Sequence, residues 1–325
     1  MGDTLRAEEN GDAADPAAVR CVHGGARGHL LGPGVAEAGD DDPACRPGDR
    51  GRLLRFERVA SHPTAADARA YFEEWAEFYR DYYGFPARLP ADIDHGFDSW
   101  KVTYCTVDVG AVPTAATGNL SVPRTTGPLA TVAYPHGTSV SFYDAPSNPN
   151  IFGELSENGE SFDGPPSGAI FAGAGFVYVA PDYLGLGDSA VPRHRYFHAA
   201  TEASSAADLL AASRDVLARL KVRRSGELFT FGFSQGGHAA LALHRLLQRR
   251  GVEVTATATV DGVFDPERFF LTGIANTTTA TVSVGRLRSR GAEVTVRRLP
   301  GLDHVNSWVR AMPRATGWFE RLSAA

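Results

Sequence analysis

An α/β fold, with a mostly parallel central sheet and helices on both faces, is predicted by three features of the sequence. Short apolar runs at 176–180 (FVYVA), 228–232 (LFTFG) and 252–260 alternate with helical patterns at about 200–220 and 236–249. Such alternation produces parallel strands joined by helical crossovers. Earlier strand signals at 100–108 (WKVTYCTVD), 116–123 (ATGNLSVP) and 129–134 (LATVAY) are rich in β-branched and aromatic residues and bounded by Pro and Gly. Finally, 325 residues at 43% hydrophobic and 22% charged suffice for one large core. Sheets of this class carry their ligand sites at the carboxyl ends of the strands, so chemistry is sought just after each strand.

Residues 1–50 are rich in Gly, Ala, Asp and Pro without a sustained hydrophobic period. They read as a disordered or loosely attached tail, leaving 51–325 as the folded domain. Thr64 and Asp67 predict a capped helix start. Tyr71, Phe72, Trp75, Phe78, Tyr79 and Tyr82 then recur at three- and four-residue steps before Gly84, an aromatic stripe that packs on the core or covers a site entrance. Near the carboxyl end, 292–298 (AEVTVRR) reads as the last strand.

The formal net charge of -6 argues against a nucleic-acid partner, which needs clustered Lys and Arg. No run approaches the roughly 18 apolar residues of a membrane span, and the start MGDTLRAEENGDAADP lacks an apolar signal core. The expectation is a cytoplasmic protein as given, or a secreted one if the N-terminus is incomplete. Cys21, Cys45 and Cys105 are odd in number and lack C-x-x-C spacing, so free thiols are expected, with Cys21 to Cys45 the one pairing considered. No metal site or cofactor is implied.

The strongest local signal is Gly232-Phe233-Ser234-Gln235-Gly236-Gly237, directly after the run Leu228 to Phe231 and before the helical run HAALALHRLL. A serine on a sharp strand-to-helix turn leaves little room for neighbouring Cβ atoms, hence the flanking glycines. Ser234 is the candidate nucleophile. The N–H of Gln235, at the helix start, is the candidate first oxyanion donor. A second donor is sought after the strand LATVAY, in Tyr134-Pro135-His136-Gly137-Thr138-Ser139, where the N–H of Thr138 or Gly137 is the candidate and His136 is read as structural. The candidate base is His304, in Leu299-Pro300-Gly301-Leu302-Asp303-His304, on a loop after the last strand. His238 and His244 read as packing or surface residues, and His194 and His198 as lining candidates.

The runs YPHGTS, VAPDYLGLGDS, HAATEASSAADLL, GFSQGG and GLDHVNS together resemble the secretory-lipase and related esterase branch of the α/β-hydrolase superfamily, over about residues 100 to 310. The resemblance implies an α/β-hydrolase fold and ester hydrolysis by a Ser-His-Asp triad without cofactor. It carries over Ser234 and His304, and places Asp182, Tyr183 and Gly185 in a supporting wall. It also exposes a departure: in Gly273-Ile274-Ala275-Asn276-Thr277-Thr278, Asn276 stands where the resemblance implies aspartate. Only about ten residues separate the strand 252–260 from Leu271, so the cap region is read as reduced or absent.

Asp261, at the end of strand 252–260, is the first alternative acid, with Asp265 next and Asp303 lower because it adjoins His304. Two further readings stay open: slow turnover with Asn276 orienting the histidine, and a relative that binds without catalysis. A serine peptidase would use the same Ser234 and His304. The long segment 139–169 reads as folding over the cleft, with Phe142, Tyr143, Ile151 and Phe152 offered to an acyl chain. The expected partner is a small-molecule or lipid ester, with an open cleft favouring short esters. Oligomeric state is not legible.

Overall fold

The computed structural model describes residues 44–84, 92–139, 144–148, 163–189, 191, 193–264, 287–299, 301–302 and 304–324. Their strands are β1 (Leu53–His62), β2 (Phe97–Val107), β3 (Pro113–Pro123), β4 (Leu129–Ala133), β5 (Val177–Pro181), β6 (Arg224–Phe233) and β7 (Ala256–Val260). They form one sheet in the order β1-β2-β3-β5-β4-β6-β7. β1, β2, β3 and β5 pair antiparallel in succession, while β5-β4-β6-β7 pair parallel. β2 therefore shares the direction of the parallel set, and most strands run one way. This is the α/β-hydrolase fold.

Five helices are described: α1 (Ala65–Tyr83), α2 (Gly164–Gly173), α3 (Ala199–Arg219), α4 (Gln235–Arg249) and α5 (His304–Ser323). Alternating strand residues send side chains to opposite faces. Val132, Tyr134, Phe229 and Phe231 pack with α1, α2 and α5, and Ala133, Val177, Val179 and Leu228 with α3 and α4. Each fully buried phenylalanine contributes about 1.5–3 kcal/mol relative to exposure. The capping box is present: the Thr64 side chain accepts from the Asp67 N–H, and the Asp67 carboxylate accepts from the Thr64 N–H. From the aromatic stripe, Trp75 and Tyr79 are buried in the core, and Tyr79 meets Trp308 of α5 at 5.5 Å between centroids.

Three expectations are corrected. First, 292–299 form no strand, and Val296 is exposed. Val294 and Val296 supply β propensity, but no ladder partner lies beside them among the described residues, and propensity without pairing leaves only irregular chain. Second, α2 begins at Gly164, inside the segment read as a loop. Its two prolines fall in the first turn, where a missing N–H costs nothing. Third, Cys45 and Cys105 form a disulfide across a separation of 60 residues, so the expectation of free thiols is wrong for these two.

The pairing of Arg52 with Cys105 at the start of β1 brings the two cysteines together. Arg50 and Thr106 then both donate to buried Asp208 on α3, at 2.9 and 2.8 Å. Residues 44–52 are thereby anchored to the sheet. Replacing both cysteines by serine is predicted to lower unfolding stability by about 2–4 kcal/mol, because the bridge closes a long loop in the unfolded chain. Urea denaturation of Cys45→Ser/Cys105→Ser checks this, and an unchanged midpoint contradicts it.

Among the described residues no helix is long and apolar enough to cross a membrane.

Candidate active site

Strand β6 ends at Phe233 and α4 begins at Gln235, leaving Ser234 alone to reverse the chain, at φ 54° and ψ -119°. A non-glycine residue there is strained, at a cost of order 1–3 kcal/mol, and persists because its surroundings over-determine it. The Ser234 N–H donates to the Val260 carbonyl at 3.0 Å, and its own carbonyl accepts from the Gly237 N–H. Packing fixes the neighbouring residue types. A Cβ on Gly232 would stand 1.9 Å from the Gly236 oxygen, and one on Gly236 would stand 2.2 Å from the Pro135 oxygen. Only glycine fits either place.

The Ser234 hydroxyl lies 2.8 Å from His304 Nε2. The other ring nitrogen, Nδ1, hydrogen-bonds Asp261. An ionised carboxylate only accepts, so Nδ1 carries the proton and Nε2 is left to accept from the serine hydroxyl. Asp261 directly follows β7, at φ 45°. His304 is the first residue of α5, a correction to its expected place on a loop. Its ring packs on Phe233 at 4.7 Å, and α5 is held to the sheet where Trp308 Nε1 donates to the Tyr134 hydroxyl at 3.1 Å. The structure thus brings Ser234, His304 and Asp261 into one hydrogen-bonded chain from three separate elements. Asp265, Asn276 and Asp303 lie outside the described residues, as do Phe142, Tyr143, Ile151, Phe152 and the part of the segment read as a reduced cap from residue 265 on.

Gln235 opens α4, so its N–H has no intrahelical acceptor. Gly137 is a different case. Its N–H donates to both oxygens of buried Asp163, at 2.8 and 3.0 Å. The same carboxylate takes the Tyr134 hydroxyl at 2.7 Å. An amide committed in this way does not face a substrate oxygen, so Gly137 is withdrawn as a donor and Thr138 remains. The Thr138 hydroxyl meets that of Tyr196 at 2.8 Å. Burial pushes the Asp163 carboxyl up to about 6.

His136 lies beneath this loop, fully buried, with Nδ1 2.7 Å from the Gly137 oxygen and its ring 4.3 Å from that of Tyr183. Burial lowers its pKa to about 4 from 6.5. The folded value lies below the unfolded one, so the contribution to stability is complete above pH 6.5 and is lost as pH falls through about 4. At 1.36 kcal/mol per unit the full swing is about 3 kcal/mol. Chemical denaturation of wild type and His136→Gln at pH 7 and pH 4 is therefore expected to show a steeper acid loss in the wild type. Equal losses contradict the assignment.

Asp182, just beyond β5, is fully buried and accepts from Ser147 N–H at 2.8 Å and from the Ser147 and Thr117 hydroxyls. It pins the loop that carries Tyr183 and Gly185. Of the other histidines, His198 caps α3, and His194 Nε2 lies 2.9 Å from the Gln235 side-chain nitrogen. Sequence reading missed Asp163 and Glu202. The first sits in FDGPP and the second in TEASS, and a lone acid in either setting gives no signal of burial. Among the described residues no group of three or more His, Cys, Asp or Glu side chains is placed to hold a metal ion.

A scan against protein-family models gives no match, and no curated protein matches. Solved structures do. The rice cell wall degrading esterase LipA from Xanthomonas oryzae, in its ligand-bound form, aligns at a TM-score of 0.55 and 26% identity over 81% of this chain and 66% of LipA. A substituted form of LipA aligns at 0.54 with the same identity and coverage. A Legionella pneumophila chain aligns at 0.56 and 21% identity, over 84% of this chain and 70% of its own, which bears on the fold alone. The chain thus spans just under two thirds of the length of LipA. Its motifs, its sheet order and this likeness place it in the α/β-hydrolase fold, with similarity to an esterase.

Proposed function

We propose that the chain is a serine hydrolase of carboxylic esters. The observation that carries the reading is the hydrogen-bonded chain from Ser234 through His304 to Asp261, with Ser234 held on a positive-φ turn at the head of α4. His304 Nε2 takes the proton as Ser234 Oγ attacks the ester carbonyl, and the resulting imidazolium is held by Asp261 through Nδ1. The N–H groups of Gln235 and Thr138 receive the oxyanion. The protonated His304 then hands its proton to the leaving alkoxide, and water attacks the acyl-enzyme by the same route in reverse. Asp261 serves as the orienting acid in the place that Asn276 cannot fill, and the likeness to an esterase supports an ester as substrate. The Cys45–Cys105 bridge supports work in an oxidising compartment, because such bridges are reduced in most cytosols.

The test compares a p-nitrophenyl butyrate ester with the matched p-nitroanilide. Turnover of the ester and not of the anilide is the expected result, since amides demand stronger protonation of the leaving group. Comparable turnover of both would make the chain a peptidase, and turnover of neither would make it a relative that does not catalyse.

A further inference from the structure

A buried acid lies behind the proposed oxyanion donor. Glu202, in the first turn of α3, is only 1% exposed, and Gln235 is 0% exposed. The Gln235 side-chain nitrogen donates to Glu202 Oε1 at 2.8 Å and lies 2.9 Å from His194 Nε2. These contacts fix the proton positions. An amide nitrogen only donates, so His194 Nε2 accepts and its Nδ1 carries the proton, which goes to the Leu184 carbonyl at 3.1 Å. Both hydrogens of the Gln235 amide are therefore held, one from α3 and one from the loop between β5 and α3. The second Glu202 oxygen faces His238 Nε2 of α4 at 3.8 Å.

On the reading of Ser234 and Gln235 given above, we propose that Glu202 is a positioning residue: by clamping the Gln235 side chain together with His194 it fixes the backbone N–H that receives the oxyanion. The strained turn at Ser234 makes such a clamp useful. The peptide between Ser234 and Gln235 is the link between that turn and α4, and its N–H must point at an oxygen that becomes charged only in the transition state. A side chain anchored at its far end by two hydrogen bonds restricts rotation at its near end.

The placement is costly for the fold. An acid this deep, with neutral histidines for neighbours, loses its hydration without gaining a cation, and burial pushes its pKa up to about 7. His194 and His238 are both lowered by burial, which keeps them neutral. Among the described residues, Tyr183 and Tyr196 also feel the Glu202 charge, and both are raised by burial and so uncharged near neutrality.

The sequence supplies a direct probe. Gln235 and Gln248 are the only glutamines in the chain, and Gln248 lies exposed on the same helix. Labelling with ¹⁵N-glutamine thus gives one pair of side-chain amide signals for the clamp and one for an internal reference. In the wild type the Gln235 pair is expected to be protected from solvent exchange and to shift with pH around a midpoint near 7, while Gln248 does neither. In Glu202→Ala the protection is expected to vanish and kcat for p-nitrophenyl butyrate to fall about 10- to 100-fold, with KM within about threefold, a split typical of an interaction made in the transition state. Glu202→Gln, whose amide oxygen can still accept and whose own amide adds a third labelled pair absent from the wild type, is expected to restore the protection of the Gln235 pair and most of kcat while abolishing its pH shift.

Protection that survives in Glu202→Ala, or that vanishes with kcat unchanged, overturns the proposal. If Glu202→Ala does not fold, a pH shift that persists in Glu202→Gln overturns it on its own. The amide signals are read whether or not the chain turns over ester. A protected, pH-linked Gln235 in a wild type without turnover therefore overturns the ester reading and the catalytic half of this proposal, and an unprotected Gln235 in an active wild type overturns the clamp alone.

Discussion

Replacing Ser234 by alanine is expected to lower kcat on a p-nitrophenyl ester by about 10⁵- to 10⁶-fold, the size of loss that follows removal of a nucleophile acting as part of a unit. KM is expected to change little, since Oγ contributes to bond formation more than to ground-state binding. Folding is expected to survive, because the turn is held by the Val260 carbonyl and by the glycines on either side, not by the hydroxyl. Relief of the hydroxyl in favour of alanine leaves the positive φ in place, so no large gain of stability is expected either. Steady-state kinetics with a thermal melt of the same sample checks both halves. Turnover retained within tenfold by a folded Ser234→Ala contradicts the assignment.

The second large effect belongs to Asp261. Asp261→Asn is expected to cost about 10⁴-fold in kcat, with the backbone undisturbed. Asparagine can present its amide nitrogen to His304 Nδ1, which forces the proton onto Nε2 and removes the acceptor that Ser234 requires. It also leaves the imidazolium without a counter-charge. The companion variant Asn276→Asp discriminates between two accounts of the site. If Asp261 serves as the acid, Asn276→Asp changes kcat by less than about threefold. If it raises kcat tenfold or more, position 276 is the place where the acid is needed.

How much of this was legible in the sequence depends on how local each feature is. The turn at Ser234 is written in adjacent residues: an apolar strand, a serine, and glycines at the positions where a Cβ would collide with backbone. The strands β2 to β7 were found within a few residues, because their apolar runs are bounded by Gly and Pro. β1 was missed. Its charges at Arg55, Glu57 and Arg58 belong to a strand at the sheet edge, where one flank faces solvent and the alternation is diluted. α2 was missed because Gly-Pro-Pro reads as a loop, although it is a sound way to begin a buried helix.

Features that depend on distant residues were hidden. Gly137 read as a free donor because nothing in YPHGTS announces that Asp163, 26 residues on, takes its N–H. The Cys45–Cys105 bridge depends on how β1 lies along β2, which spacing does not reveal. Glu202 sits among alanines and serines on a helix, where an acid ordinarily faces water, and only the packing of α3 against α4 turns it inward. Asp261 could be ranked first among the acids from its place at a strand end, but its contact with His304 needs the fold.

Treating the purified chain with a fluorophosphonate and locating the adduct by mass spectrometry tests Ser234 as the nucleophile held by His304 and Asp261. One stoichiometric adduct is expected, on Ser234, formed quickly in the wild type and slowly in Asp261→Asn. A folded wild type that takes no adduct, or takes it on another residue, contradicts Ser234 as the nucleophile.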